Sequence, residues 1–267
     1  MAVITSPTEK LRLSIENGVA RVAIDNPARR NAFDFAMWSA LPEILRALDA
    51  EPAARVVVLT GADGLPFCSG ADISEFSTVR ATAAGGRAYE AANLAAFDAL
   101  SHLSKPTIAA ISGFCMGGGL GLACACDLRI AAEGATFAVP AGRLGVGYPP
   151  AAMKYVVAAV GAQGAMDLFF TARRLSAEEA LSGGLLSRLL SPAGFAAAID
   201  EIARGVAANA PLTLKAAKAA VRAAAGLPGA PTPERCEALA AACFDSADYL
   251  EGRTAFLEKR APEFSGT

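Results

Sequence analysis

The chain has 267 residues, 54% hydrophobic and 19% charged, which is enough to bury one sizeable core and is the wrong composition for a disordered chain. Its 24 Lys and Arg nearly cancel its 26 Asp and Glu. No broad field exists to gather nucleic acid or an anionic membrane, so an anionic ligand has to be held locally, and little repulsion opposes self-association.

Residues 11–15 and 19–24 alternate as strands, and Asn17-Gly18 between them is a two-residue hairpin signal. Asn26-Pro27 closes that unit. Phe33, Met37, Leu41, Leu45 and Leu48 recur at helical spacing, predicting a helix over 33–48. Residues 55–60 (RVVVLT) form a buried strand stopped by Gly61. The polar, glycine-containing stretch 74–86 predicts a mobile loop, with a helix resuming over 89–103. A strand is expected at 107–111, a turn at 113–119, a helix at 120–126 and a strand at 128–132. Strands alternating with helices imply parallel crossovers and an α/β layer. After Val139 the pattern is mostly helical. Ser176-Ala177-Glu178-Glu179 is a capping box that starts a helix near Ala177. Further helices are expected over 192–208, 211–225 and 233–250, with Pro-Gly punctuation at 227–233. The organisation is thus an α/β core over 1–193 and a helical region over 194–267, whose apolar faces serve assembly.

Residues 106–126 carry no charge and are long enough to span a bilayer. Gly113, Gly117, Gly118, Gly119 and Gly121 argue against that, since each costs a helix about 1 kcal/mol relative to Ala. A buried strand, a glycine turn and a short helix fit better. Six cysteines in a chain whose first ten residues lack a signal-peptide pattern are expected to be reduced thiols of a cytoplasmic protein. With one histidine, His102, no metal site is expected. His102 precedes Ser104-Lys105-Pro106 at a helix end, a surface or capping position rather than a triad position. There is no Gly-Lys pair for a P-loop. The sixth position from Gly117 is Leu122, which breaks a dinucleotide fingerprint, and Ser69 and Ser112 lack the glycine flanks of a nucleophile elbow.

Two patterns survive together. Phe67-Cys68-Ser69-Gly70-Ala71-Asp72-Ile73 follows the strand at 55–60, and Gly113-Phe114-Cys115-Met116-Gly117-Gly118-Gly119 follows the strand at 107–111. Each puts small residues at a strand end, where backbone can approach a ligand. The second also opens a helix, whose free N–H groups favour negative charge. Two converging N–H groups make an oxyanion hole, worth several kcal/mol to a developing enolate.

These segments, with Asn26-Pro27…Asn31-Ala32, Lys105-Pro106-Thr107-Ile108-Ala109-Ala110, Cys126-Asp127-Leu128-Arg129-Ile130-Ala131, Phe137…Pro140…Leu144-Gly145 and Phe256-Leu257-Glu258-Lys259-Arg260…Pro262…Phe264, resemble the enoyl-CoA hydratase/isomerase (crotonase) superfamily over nearly the whole chain. The resemblance implies a ββα spiral core with a C-terminal helical trimerisation region, assembled as a homotrimer or a dimer of trimers. It implies an acyl-CoA substrate whose thioester carbonyl is held by the amides of Ala71 and Gly118, with coenzyme A as part of the substrate and no separate cofactor. Ala28, Arg30, Ala32, Asp72 and Ile73 would line the coenzyme A path. Phe256 and Lys259 of a neighbouring subunit would close over that path, and Gly117, Gly121, Pro140 and Ala141 would also bind the substrate.

The chain departs from the pattern at one point. Hydratases of this family usually carry one Glu two residues after the triple glycine and another just after the later Pro; here those positions are Gly121 and Ala141. Neither moves a proton, and positioned acid–base groups typically supply about 10²–10⁴-fold in rate. Tyr148 is a substitute donor with a packed loop aromatic as its bland alternative. Glu75 and Glu90 flank the lid-like segment and are expected as solvated charges, Arg143 as an exposed basic residue, and Asp127 and Asp72 as structural. Isomerisation, decarboxylation and non-catalytic acyl-CoA binding all remain open.

Overall fold

The computed structural model of the protein describes residues 4–227 and 229–267; residues 1–3 and Pro228, the latter inside the expected turn at 227–233, lie outside the described residues. Asn17 and Gly18 both take positive φ, 51° and 80°, as a type I′ hairpin requires. They join β1 (Leu11–Glu16) to β2 (Val19–Ile24), antiparallel, with Leu11 opposite Ile24. A short 3-10 turn at Pro27–Arg29 follows. The buried Asn31 side chain fixes it by accepting from Asn26 N and donating to the carbonyls of Ile24 and Pro66. Helix α1 (Phe35–Ala50) starts later than the apolar spacing suggests, because Asp34 caps it by accepting from Met37 N at 2.8 Å.

After β3 (Val56–Gly61) comes the largest departure from expectation. The stretch expected as a loop contains a 3-10 turn, Ile73–Ser77, capped by Asp72, and then the first residues of α2 (Ala83–His102). Thr82 accepts from Gly85 N at 3.1 Å, so the helix begins at Ala83 rather than Tyr89. β4 (Thr107–Ile111), β5 (Phe114–Met116), α3 (Gly118–Ala125), β6 (Leu128–Ala132), β7 (Thr136–Ala138) and α4 (Ala141–Leu144) follow in order. Next is α5 (Pro150–Thr171), bent at Gly161, where φ is 70°. β8 (Leu175–Ser176) leads into α6 (Ala177–Ser182), which carries the capping box read from the sequence. β9 (Arg188–Leu190), α7 (Phe195–Ala207), α8 (Pro211–Ala224), α9 (Pro233–Phe244) and α10 (Ala247–Glu258) complete the chain. The single helix expected over 233–250 is two helices, since Ser246 stops the first and caps the second by accepting from Tyr249 N.

β1-β2-β3-β4-β6-β9 form one sheet, parallel from β2 onward, and β5-β7-β8 a second. Every residue of β4 is buried, as expected of a parallel strand covered on both faces. Bridges Phe33↔Ala71 and Cys68↔Cys115 attach the 68–71 segment beside β5. Successive turns of the chain therefore repeat one step: a strand in the large sheet, a short strand beside or in the small sheet, then a helix. That is the ββα spiral the resemblance implies. Two exits from the small layer, at Ala71 and Gly118, are equivalent points on neighbouring turns, and this brings them together. Ile199, Ala203 and Ala207 of α7 pack on Val56, Val58, Ile108 and Ile130. Helix α7, placed by the 194 boundary in the helical region, thus shares its core with the large sheet. Helices α8 to α10 lie beyond it and leave Phe244, Phe256 and Leu257 exposed.

Candidate active site

The bridge at Ala71 sets the direction of its amide. Phe33 N donates to Gly70 O and Asp72 N donates to Phe33 O, both at 2.8 Å, so the intervening Ala71 N–H faces away from Phe33. Gly118 opens α3, where an amide has no intrahelical acceptor. Gly117 turns the chain there with φ 52° and ψ −118°, a conformation open to glycine alone. Its own N–H goes to Ala138 O at 2.8 Å. Neither the Ala71 nor the Gly118 N–H meets an acceptor among the described residues. The two amides border one small volume: a Cβ on Gly70 would sit 3.7 Å from Gly118 N, and one on Gly118 would sit 3.8 Å from Ala71 N.

Trp38 forms the floor, with Cζ2 3.0 Å from where a Gly118 Cβ would lie. Its Nε1 donates to Tyr89 Oη at 3.1 Å, and Tyr89 donates to Phe33 O at 2.9 Å. One phenol thereby ties the floor to the strand segment that orients Ala71. Tyr89→Phe is expected to lower unfolding free energy by about 1–3 kcal/mol, because it leaves the buried Trp38 Nε1 without an acceptor, while Phe33 O keeps its bond from Asp72 N; urea titration measures this.

A cavity of about 120 Å³ opens on the two amides. Of the residues singled out in the sequence, Ala71, Ile73, Gly117, Gly118, Pro140, Ala141 and Tyr148 line it. The other residues expected to bind substrate lie elsewhere. Ala28 and Arg30 are exposed on the 3-10 turn, and Ala32 is buried beside Phe33. Ser69 Oγ donates to Arg29 O at 3.2 Å, which links that turn to the rim. Asp72 is 7% exposed and its Oδ1 accepts from Ser74 N at 2.9 Å and from Ser74 Oγ at 2.7 Å. Its carboxylate thus serves its own turn. Phe256 and Lys259 are exposed on and just after α10 and do not border the cavity within one chain.

Gly121 lies behind the wall. A Cβ there would fall 2.5 Å from Phe97 Cζ and 2.8 Å from Tyr148 Oη, so these two rings fill the place a carboxylate side chain would need. Tyr148 packs edge-on against Phe169 at 4.9 Å. Its hydroxyl is buried and has no partner among the described residues. Burial drives its pKa well above the usual phenol value, so it is a neutral O–H near neutral pH, a donor and not a base.

Glu90, expected as a solvated charge, lines the cavity instead. It is the one carboxylate among the described residues that do so. Arg80 Nη2 meets Glu90 Oε1 at 2.9 Å, and the guanidinium stacks between the rings of Phe76 (4.5 Å) and Tyr89 (4.6 Å). Burial raises the Glu90 pKa, while Arg80 and a hydrogen bond from Asn93 hold it down. Arg80 and Asn93 carry no sequence pattern. Helical spacing was the available signal, since Glu90, Asn93 and Phe97 lie at i, i+3 and i+7 on α2, but Arg80 falls in the segment read as a loop. Glu75 is not part of the cavity: its carboxylate accepts from Phe35 N at 2.9 Å and pins the start of α1. Arg143 is exposed outside the cavity, and His102 is exposed at the end of α2. Asp127 is structural, accepting from Thr107 N at 2.7 Å and from Lys218 Nζ at 2.8 Å. All six cysteines are unpaired; Cys68, Cys115, Cys124 and Cys126 are buried. Burial pushes Cys68 and Cys126 up to about 12 and Cys124 to about 11, so these thiols are not nucleophiles.

Residues 14–267 match the model of the enoyl-CoA hydratase/isomerase family. The chain is 33% identical to the short-chain-enoyl-CoA hydratase of Clostridium acetobutylicum, over 94% of this chain and 95% of that one. It is 30% identical to a peroxisomal Delta(3,5)-Delta(2,4)-dienoyl-CoA isomerase of Arabidopsis thaliana, over 96% of each. The crystal structure of an enoyl-CoA hydratase/carnithine racemase from Magnetospirillum magneticum superposes with a TM-score of 0.92 at 33% identity, covering 98% of this chain and 97% of that one. The family match, the identity over nearly the whole chain and the superposition agree, and the chain belongs to the enoyl-CoA hydratase/isomerase family.

Proposed function

We propose that the protein is an acyl-CoA isomerase-type enzyme: the Ala71 and Gly118 amides hold the thioester carbonyl oxygen, and Glu90 carries the proton. The observation that carries this reading is the pair of converging, unpartnered amides opening on a cavity whose one carboxylate is Glu90. Enolate formation moves negative charge onto the carbonyl oxygen, which is where two fixed N–H dipoles act most strongly. A shift of a proton from one carbon to another needs one base that takes it up and returns it, and no activated water. Positions 121 and 141, which carry the acid–base pair in hydratases of this type, hold Gly and Ala, so syn hydration lacks its usual groups. Tyr148, neutral and buried, is a hydrogen-bond donor to the acyl group.

Glu90→Gln is expected to lower exchange of the acyl-CoA C2 protons with deuterated water by about 10²–10⁴-fold, read by mass spectrometry. The base must be ionised to act. Its pKa is raised above the ordinary 4.5, so kcat/KM is expected to be low under acid conditions and to climb through a limb above that value, which the Gln variant lacks. Robust hydration of crotonyl-CoA would overturn the isomerase reading. Thioester binding with no exchange or turnover would favour a non-catalytic homologue, and release of CO2 from a malonyl-type thioester would favour decarboxylation.

Assembly fits the same reading. Phe244, Leu250, Phe256 and Leu257 are large apolar side chains more than half exposed on α9 and α10, a clustering that marks contact surfaces. We place a homotrimer or a dimer of trimers there, with Phe256 and Lys259 of a neighbouring copy over the coenzyme A moiety. No described helix is long and apolar enough to cross a membrane, and the reduced thiols suit the cytoplasm.

A further inference from the structure

Two side-chain atoms in the described part of the chain are buried polar groups without a hydrogen-bond partner: Asn93 Oδ1 and Tyr148 Oη. Both residues line the cavity that opens on the Ala71 and Gly118 amides. Native proteins satisfy most such groups, and an orphan costs about 1–3 kcal/mol in desolvation. Two orphans in one cavity, and none elsewhere among the described residues, point to a ligand that completes them. Their chemistry limits what that ligand is. Asn93 Oδ1 only accepts, so it asks for an O–H or N–H. Tyr148, kept neutral by burial, has a proton to donate and asks for an acceptor. A hydroxyl group satisfies both demands.

An anionic acyl group fits worse. The one cation on the wall, Arg80, already pairs with Glu90 at 2.9 Å and is stacked between two rings. A second carboxylate would meet the lone pairs of Asn93 Oδ1 and the charge of Glu90. A plain hydrocarbon leaves both orphans dry. The space, about 120 Å³, holds about four water-sized groups at roughly 30 Å³ each, enough for a short chain and not for a long one.

We infer that the protein selects short hydroxylated acyl-CoA thioesters, with Asn93 and Tyr148 as the specificity-determining pair for the acyl hydroxyl. The inference rests on the acyl-CoA reading of the same cavity but not on the reaction assigned to Glu90. Sites built to hydrogen-bond a hydroxyl discriminate strongly against analogues that lack it, because the buried partners are then left unpaired.

The test is calorimetric binding of three isosteric pairs to the intact protein: 3-hydroxybutyryl-CoA against 3-methylbutyryl-CoA, 4-hydroxybutyryl-CoA against pentanoyl-CoA, and 5-hydroxypentanoyl-CoA against hexanoyl-CoA. Succinyl-CoA serves as the anionic control. In at least one pair the hydroxyl ligand is expected to bind about 10-fold tighter or more, as two net hydrogen bonds supply, with succinyl-CoA weaker than either member. Asn93→Leu, close in volume, and Tyr148→Phe are each expected to shrink that preference to within about 3-fold while the methyl ligand binds as well as before or better. The unchanged methyl affinity shows that the variants are folded. Equal or tighter binding of the methyl member in all three pairs overturns the inference, as does tightest binding of succinyl-CoA. Failure of every thioester to bind would overturn the acyl-CoA reading itself. A hydroxyl preference without proton exchange would remove only the role given to Glu90.

Discussion

Ala71→Pro is expected to cut turnover of the acyl-CoA substrate by about 10²–10³-fold, the usual loss when one oxyanion donor is removed, while the protein stays folded. Proline deletes the N–H and nothing else the fold uses at that atom. The hydrogen bonds that hold this segment to Phe33 run through Gly70 O and Asp72 N, and both survive the substitution. The preceding residue is glycine, at φ 108°, so no Cβ stands in the way of the pyrrolidine ring. Single-turnover kinetics read the loss, and a thermal melt within a few degrees of the parent shows that the scaffold is intact. A well-folded variant with less than a threefold loss would sink the assignment of Ala71 as a donor.

Installing the absent carboxylate is expected to fail for a steric reason. At Gly121 even a Cβ collides with Phe97 at 2.5 Å and Tyr148 at 2.8 Å, and both rings are wedged against other aromatics, Trp38 and Phe169. Gly121→Glu is expected to destabilise the protein by about 1–3 kcal/mol, as overpacking of a filled core does. The Gly121→Glu, Ala141→Glu double variant is expected to gain no crotonyl-CoA hydration. Adding Phe97→Ala separates shape from chemistry, because it removes the nearer of the two clashing rings without touching the amides. Urea titration and loss of enoyl absorbance measure the two effects. If the double variant hydrated crotonyl-CoA briskly, the filled wall would not be what keeps a carboxylate out.

The elements that carry the two converging amides were legible in the chain because they are local. Asn17-Gly18, the capping box at Ser176 and the glycine turn before α3 each encode a backbone conformation within a few residues. The same holds for the two glycine-bearing segments that follow β3 and β4, from which the spiral and the site follow. What was not legible depends on packing. Nothing near Gly121 in sequence says that Phe97, twenty-four positions earlier, occupies its side-chain space. Glu90 looked like a solvated charge because its helix was expected to begin at Tyr89. With α2 starting at Thr82's cap, Glu90 sits about two turns inside the helix and faces the cavity with Asn93 and Phe97. The break between α9 and α10 was missed for a related reason: apolar spacing continues across it, and only the Ser246 cap interrupts the backbone.

On the proposed reading Gly118 and Ala71 act through main-chain amides, so the part of the site that polarises a carbonyl has no side chain to lose. Substitutions that preserve the turn leave the donors in place, whatever the neighbouring residue becomes. The residues that shuttle protons have no such protection; one base change can erase or relocate them. A lineage built on this spiral can therefore lose one reaction and acquire another without ever passing through a form that cannot hold a thioester. The Gly and Ala at 121 and 141, beside an intact pair of amides, are what such a history would leave behind.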